Sequence, residues 1–135
     1  MKLTTKGRYA IIAMADLVLH SRTVPVSLKE ITKRQSISLS YLEQLFSKLK
    51  DSDLVQSIRG PGGGYQLGRD SSEISLLDII TAVDEKIDQT QCGGAMNCNK
   101  DHPCLTHYIW TELNEKINQY MRDITLSDIA TREDV

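Results

Sequence analysis

Apolar residues recur at helical spacing through the first third of the chain. Between Thr5 and His20, one face is traced by Tyr9, Ile12, Ala13, Asp16, Leu17 and His20 and widened by Ala10, Met14 and Val18. This predicts a largely buried helix, broken by Arg22–Pro25. Ser27-Leu-Lys-Glu30 has the spacing of a capping box and predicts a short helix to about Gln35, with Leu28 and Ile31 inward. After a turn at Ser36–Leu39, Ser40-Tyr-Leu-Glu43 repeats that spacing. It predicts a second short helix to about Asp51, with Leu42, Leu45, Phe46 and Leu49 as the inner stripe. Two short helices across a tight turn, behind a longer first helix, form a helix-turn-helix pattern.

The period then changes from 3.6 to 2 over Leu54–Ile58. Arg59-Gly-Pro-Gly-Gly-Gly64 interrupts the extended run, and Tyr65-Gln-Leu67 resumes it. Strand, Gly/Pro tip and strand make a β-hairpin, and a hairpin directly after a helix-turn-helix is the winged variant of that motif. Ser75-Leu-Leu-Asp78 is a third capping box and opens a helix through Val83. Little periodicity follows from Asp84 to Lys100, so this segment reads as a loop. From Pro103, well suited to a first helical turn, an apolar stripe runs through Leu105, Ile109, Leu113, Ile117, Tyr120, Met121 and Ile124 and is widened by Trp110. A stripe of that length predicts a subunit interface. Thr125-Leu-Ser-Asp128 caps a last short helix.

Composition places this among globular proteins: 135 residues, 40% hydrophobic and 25% charged. No apolar run approaches the ~18–20 residues of a membrane span, and the N-terminus lacks the layout of a signal peptide, so a cytoplasmic protein is expected. The net charge of −2 conceals a split. Residues 1–70 carry 11 Lys and Arg against 6 Asp and Glu, a balance of +5, and the remaining 65 residues carry 5 against 12, a balance of −7. The basic half is suited to a polyanion.

Within that half, the second helix of the helix-turn-helix meets base edges through its N-terminal residues, here Ser38, Ser40, Tyr41, Glu43 and Gln44. Gln pairs bidentately with adenine, Glu accepts from cytosine, and Ser or Tyr hydroxyls bind bases or phosphates. The capping box also accounts for Ser40 and Glu43, whereas Gln44 has no local structural task, and Tyr41 is expected to be exposed. Arg59 stands at the base of a tip made of Gly60, Pro61, Gly62, Gly63 and Gly64, which lacks bulky side chains and can lie close to a nucleic-acid backbone. An arginine there suits a narrow minor groove. A nucleotide-phosphate cradle fails on spacing, because no Gly-Lys-Ser/Thr follows and Tyr65 stands where a third glycine is needed. Three consecutive glycines exceed what a plain turn requires.

In the acidic half, Cys92, Cys98 and Cys104 form an odd-numbered cluster that does not read as a disulfide framework. With His107 they give Cys-x5-Cys-x5-Cys-x2-His, a four-ligand set for structural zinc or an iron–sulfur cluster. Gaps of five are long for zinc, and histidine is uncommon on a cluster, so spacing leaves both open. Cys104 and His107 share one face if both lie on the first turns of the long helix. His102 is a nearby competitor for ligation, and His20 reads as capping carbonyls at a helix end. No third residue orients Cys104 and His107 as a catalytic pair, so an enzyme is not expected.

The opening Met1-Lys-Leu-Thr-Thr-Lys-Gly-Arg-Tyr-Ala10, the run Ile37–Phe46, the wing Arg59–Tyr65 and Cys104-Leu-Thr-His107 closely resemble the iron–sulfur cluster regulators. These are a branch of a larger family of winged-helix bacterial repressors, and the resemblance spans almost the whole chain. It implies a homodimer holding a [2Fe-2S] cluster through Cys92, Cys98, Cys104 and His107. Such a dimer reads a pseudo-palindromic operator in double-stranded DNA with the helix at Ser40–Gln44 and the wing at Arg59. It further implies control of iron–sulfur assembly genes, with cluster occupancy selecting between classes of DNA site and Glu43 taking part in that selection. A cluster-donor scaffold protein is a further expected partner. Related nitric-oxide-sensing repressors share the three-cysteine spacing but take a fourth ligand from an acidic residue near the start of the first helix. Here that neighbourhood is Lys6-Gly7-Arg8, and His107 is present. The extended polar tail of some relatives has no counterpart in this sequence.

The expected architecture is therefore mostly α with a small β-hairpin. A winged helix-turn-helix domain spans residues 1–83, a cluster-binding loop 84–104, and a dimerisation helix with a C-terminal short helix 105–135. A zinc-stapled interaction module or cluster carrier is the reading from a different class, and the +5 half is what it leaves unexplained.

Overall fold

The computed structural model describes residues 5–83 and 105–132. Among them are six helices and a two-stranded sheet: α1 Thr5–His20, α2 Leu28–Gln35, α3 Leu39–Asp51, β1 Val55–Ile58, β2 Gly64–Leu67, α4 Leu76–Ala82, α5 His107–Asp123 and α6 Leu126–Arg132. A single 3₁₀ turn, Ser71–Glu73, precedes α4. The mostly-α winged architecture is as the periodicity predicts.

Helix α1 buries Ala10, Ala13, Met14 and Leu17 completely, whereas Ile12, expected on the inner face, is exposed. At 3.6 residues per turn Ile12 lies on the side opposite both Ala10 and Met14. Asp16 is buried on the same helix and is reached from α2. Arg34 donates to both its carboxylate oxygens (Nε 2.9 Å, Nη2 2.8 Å), and Gln35 donates at 2.9 Å. Burial pushes the Asp16 carboxyl up, but hydrogen bonds from Arg34 and Gln35 and the charges of Arg34 and His20 outweigh it and hold the group below its ordinary 3.8. The clamp therefore stabilises the fold fully above that ordinary value and is lost as pH falls through the lowered one. Asp16→Asn is expected to cost about 1–3 kcal/mol at pH 7, nearer the lower figure because Arg34 is partly solvated. The deficit, read by urea unfolding, shrinks below pH 3.8; a pH-independent deficit would place the acid sensitivity elsewhere.

Ser27 caps α2 by accepting from the Glu30 amide at 3.3 Å. The chain leaves α2 through Ser36 in the left-handed region (φ 56°) and enters α3 through Ser38, whose hydroxyl accepts from the Tyr41 amide at 3.3 Å. The cap of α3 is thus Ser38 and not Ser40. Ile37 and Leu42 are both buried and occupy the N′ and N4 positions of a hydrophobic staple around a cap at Ser38. A cap at Ser40 would put Leu39 and the polar Gln44 in those places.

The hairpin pairs antiparallel, with Val55 opposite Leu67 and Ile58 opposite Gly64. Val26 adds a third rung that periodicity does not reveal: its amide donates to Tyr65 O at 3.0 Å, and the Tyr65 amide donates back at 2.7 Å. Phe46 of α3 packs edge-on against Tyr65, with ring centroids 4.9 Å apart. The wing is therefore fixed to α3 and to the segment that leads into α2.

Ser75 and Asp78 form a complete capping box on α4, each amide–side chain bond 3.0 Å long. Thr125 and Asp128 do the same on α6 at 2.9 and 3.3 Å. Leu76 N donates to Ile124 O and Leu126 N to Ile74 O, at 2.9 and 3.0 Å, tying the two helix starts together. As a result α6 packs on α1, with Leu126 fully buried in the same core as Met14 and Leu17. The apolar stripe of α5 divides. Met121 is buried and Ile117 and Ile124 are half-buried, while Tyr108, Ile109, Trp110, Leu113 and Tyr120 are exposed. Leu105 precedes the helix and is 94% exposed, because α5 opens at His107 rather than near Pro103.

Candidate DNA interface and metal centre

Helix α3 turns Leu42, Leu45, Phe46 and Leu49 into the core. Its other side presents Ser40, Glu43, Gln44 and Ser47, all exposed, which with Lys48 line one surface depression. With the cap moved to Ser38, Glu43 is no longer the third residue of a capping box, so capping does not account for its presence. Tyr41, expected to be exposed, is instead half-buried, its ring edge-on to Tyr9 at 5.7 Å and 80°. Sequence reasoning did not single out Ser47; the signal was its spacing, three residues beyond Gln44 and seven beyond Ser40.

In the wing, Arg59, Gly60, Pro61 and Gly62 are exposed and Gly63 is half-buried. The hairpin itself uses the whole glycine run. Gly60 and Gly62 have φ of +100° and +74°, and a Cβ on Gly63 or Gly64 would lie 2.2 Å from Ile58 O or 2.4 Å from Val26 O. The glycines are thus not in excess of the turn's needs. They leave a tip without side-chain bulk beside the Arg59 guanidinium.

Of the four sulfur and nitrogen donors, His107 is among the described residues, and Cys92, Cys98 and Cys104 lie outside them, as do 84–104 as a whole. His107 is the first residue of α5 and is buried. The Thr111 hydroxyl, one turn on, donates to His107 O at 3.1 Å and stands 3.4 Å from its Nε2. Thr106 accepts from the Trp110 indole at 2.9 Å, which fixes the first turn of the helix. A buried imidazole anchored at a helix start, preceded in sequence by three cysteines within fifteen residues, fits a thiolate–imidazole site by the chemistry of its donors. Among the described residues, no group of three or more His, Cys, Asp or Glu is placed to hold a metal.

A helix-turn-helix with a clamped wing, and a second helix presenting a polar face away from the core, define a winged-helix DNA-binding protein. The chain belongs to the Rrf2 family, described as iron-dependent transcriptional regulators, whose family model matches residues 3–132. It is similar to the HTH-type transcriptional regulator IscR of Serratia proteamaculans (53% identical over 135 residues, all of this chain and 82% of that one) and to IscR of Yersinia pestis (52%, with the same coverage). Among solved structures, CymR, the global cysteine regulator of B. subtilis, superposes with a TM-score of 0.85 at 32% identity, covering 98% of each chain. T. potens IscR superposes with a TM-score of 0.80 at 36% identity, covering 98% of this chain and 88% of that one. The protein is a transcriptional regulator and not an enzyme. No helix among the described residues is long and apolar enough to cross a membrane.

Proposed function

We propose that the chain is a cytoplasmic, homodimeric regulator that senses iron–sulfur cluster status through a [2Fe-2S] cluster and controls iron–sulfur assembly genes. The observation that carries this reading is the layout of α5. His107 lies buried at its start, and the same helix carries the uncovered apolar residues Ile109, Trp110 and Leu113. One helix thereby supplies both a ligand and the subunit contact. The thiolates of Cys92, Cys98 and Cys104 and the imidazole of His107 would hold the cluster. When bound, the cluster supplies a redox-responsive iron centre. A cluster-donor scaffold protein would load it.

On the DNA side, Gln44, Glu43 and Ser40 read base edges, and Ser38 and Tyr41 brace the start of the helix. Arg59 enters the minor groove over Gly60, Pro61, Gly62 and Gly63. A dimer places two such heads on half-sites about 34 Å apart.

Protein purified without air is expected to be coloured, with iron and acid-labile sulfide in equal amounts, and to shift promoter fragments differently with and without the cluster. Colourless protein holding one zinc per chain would overturn the sensing claim while leaving the DNA-binding fold intact. Glu43→Ala is expected to alter base preference at defined operator positions and to change stability by no more than about 0.5 kcal/mol, the usual range for a surface position. A loss of about 0.5–2 kcal/mol with unaltered preference would return Glu43 to a capping role.

A further inference from the structure

We propose that Ser47 is a further base-contacting residue of α3, and that the reading surface ends one turn later at Asp51. This rests on α3 being the helix that reads DNA. Ser40, Glu43, Gln44 and Ser47 occupy the i, i+3, i+4 and i+7 positions of one exposed face, and all four line the same depression. Serine is a poor helix former in mid-helix, because its hydroxyl competes for backbone groups. Three hydroxyls in or just after helices of this chain bond one turn back, Ser21 to Leu17 O at 2.6 Å, Thr111 to His107 O at 3.1 Å and Thr131 to Ser127 O at 2.9 Å, whereas the buried Thr32 hydroxyl of α2 has no partner among the described residues. Ser47 makes no such bond to any described residue, and its exposure gives it no packing task. Neither packing nor a hydrogen bond within the fold occupies its side chain, which leaves the hydroxyl available on the α3 face.

A short side chain at this point lets the helix approach base edges closely, and a hydroxyl held on the helix face can donate to or accept from a particular base edge in the groove. At ~1.5 Å per residue, Ser47 lies about 10 Å along the axis from Ser40, roughly three base-pair steps. The next residue on this face is Asp51, the last of α3 and exposed. A carboxylate there is repelled by the phosphate backbone, which sets the end of the contact surface.

The test is selection of bound duplexes from a randomised operator pool, using the full chain with Ser47→Ala, Ser47→Thr, Gln44→Ala and Asp51→Asn, each checked for helix content. Ser47→Ala is expected to lose about threefold to tenfold on the preferred site, the worth of one hydrogen bond. It should relax preference at base pairs distinct from those relaxed by Gln44→Ala, with the salt slope unchanged, and Ser47→Thr should restore the preference. Asp51→Asn should leave base preference unaltered. An equal loss of Ser47→Ala on every sequence, or no loss, overturns the contact, and a changed preference in Asp51→Asn overturns the boundary. If Gln44→Ala also leaves preference untouched, the assignment of α3 as the reading helix falls with it.

Discussion

Leu126→Ala is expected to destabilise the DNA-binding head by about 2–5 kcal/mol, although residue 126 is far along the chain from the helix-turn-helix. Leu126 is the first residue of α6 and has no solvent-exposed surface; it shares one core with Met14 and Leu17 of α1. Its amide is committed to Ile74 O, and Asp128 and Thr125 hold the helix start, so the backbone is not free to collapse into the space left by a truncated side chain. Partial relaxation around a cavity gives the quoted range. In a domain of this size the melting temperature should fall by roughly 10 °C. Calorimetry on the variant checks this, and a midpoint within about 2 °C of the parent would show that α6 is not part of the head's core.

The second large effect is expected at Gly64. A side chain there would place its Cβ 2.4 Å from Val26 O and 2.9 Å from Ser27 N, both backbone atoms. Gly64→Val must therefore part the wing from the segment that caps α2. The two hydrogen bonds between Val26 and Tyr65 would be lost, for about 1–3 kcal/mol of stability. The root of the wing would also shift away from α3, where Phe46 now meets Tyr65. DNA affinity should fall about tenfold or more, equal to at least 1.4 kcal/mol of lost wing contact. Gel-shift titration of Gly64→Val beside Pro61→Ala, at the exposed tip, separates displacement of the wing from loss of a tip contact. Equal affinities of Gly64→Val and the parent would show that the wing does not depend on this rung.

Most of the elements could be read directly from the chain, because periodicity and capping are local. The limits of α1, the complete boxes at Ser75 and Thr125, and the hairpin around the Gly/Pro tip all follow from residues within a few positions of one another. Where local patterns competed, the motif alone misled. Ser-x-x-Glu at residue 40 matched a capping box, but Ile37 and Leu42 needed burial together, and only a cap at Ser38 allows it. That shift leaves Glu43 without a capping task. Tyr41 was misplaced for a related reason: its exposure depended on Tyr9, which packs against it from another helix.

The chain alone specified a winged helix-turn-helix, a basic half separated from an acidic one, and three cysteines followed by a histidine. Those are matters of spacing and charge, which are written along the sequence. Three further features came only from packing between segments distant in sequence: the Val26 rung that locks the wing, the Asp16 clamp on α2, and the return of α6 to α1. Each depends on which buried surface or polar group found a partner across the core, and burial is a property of the folded whole rather than of any one stretch of chain.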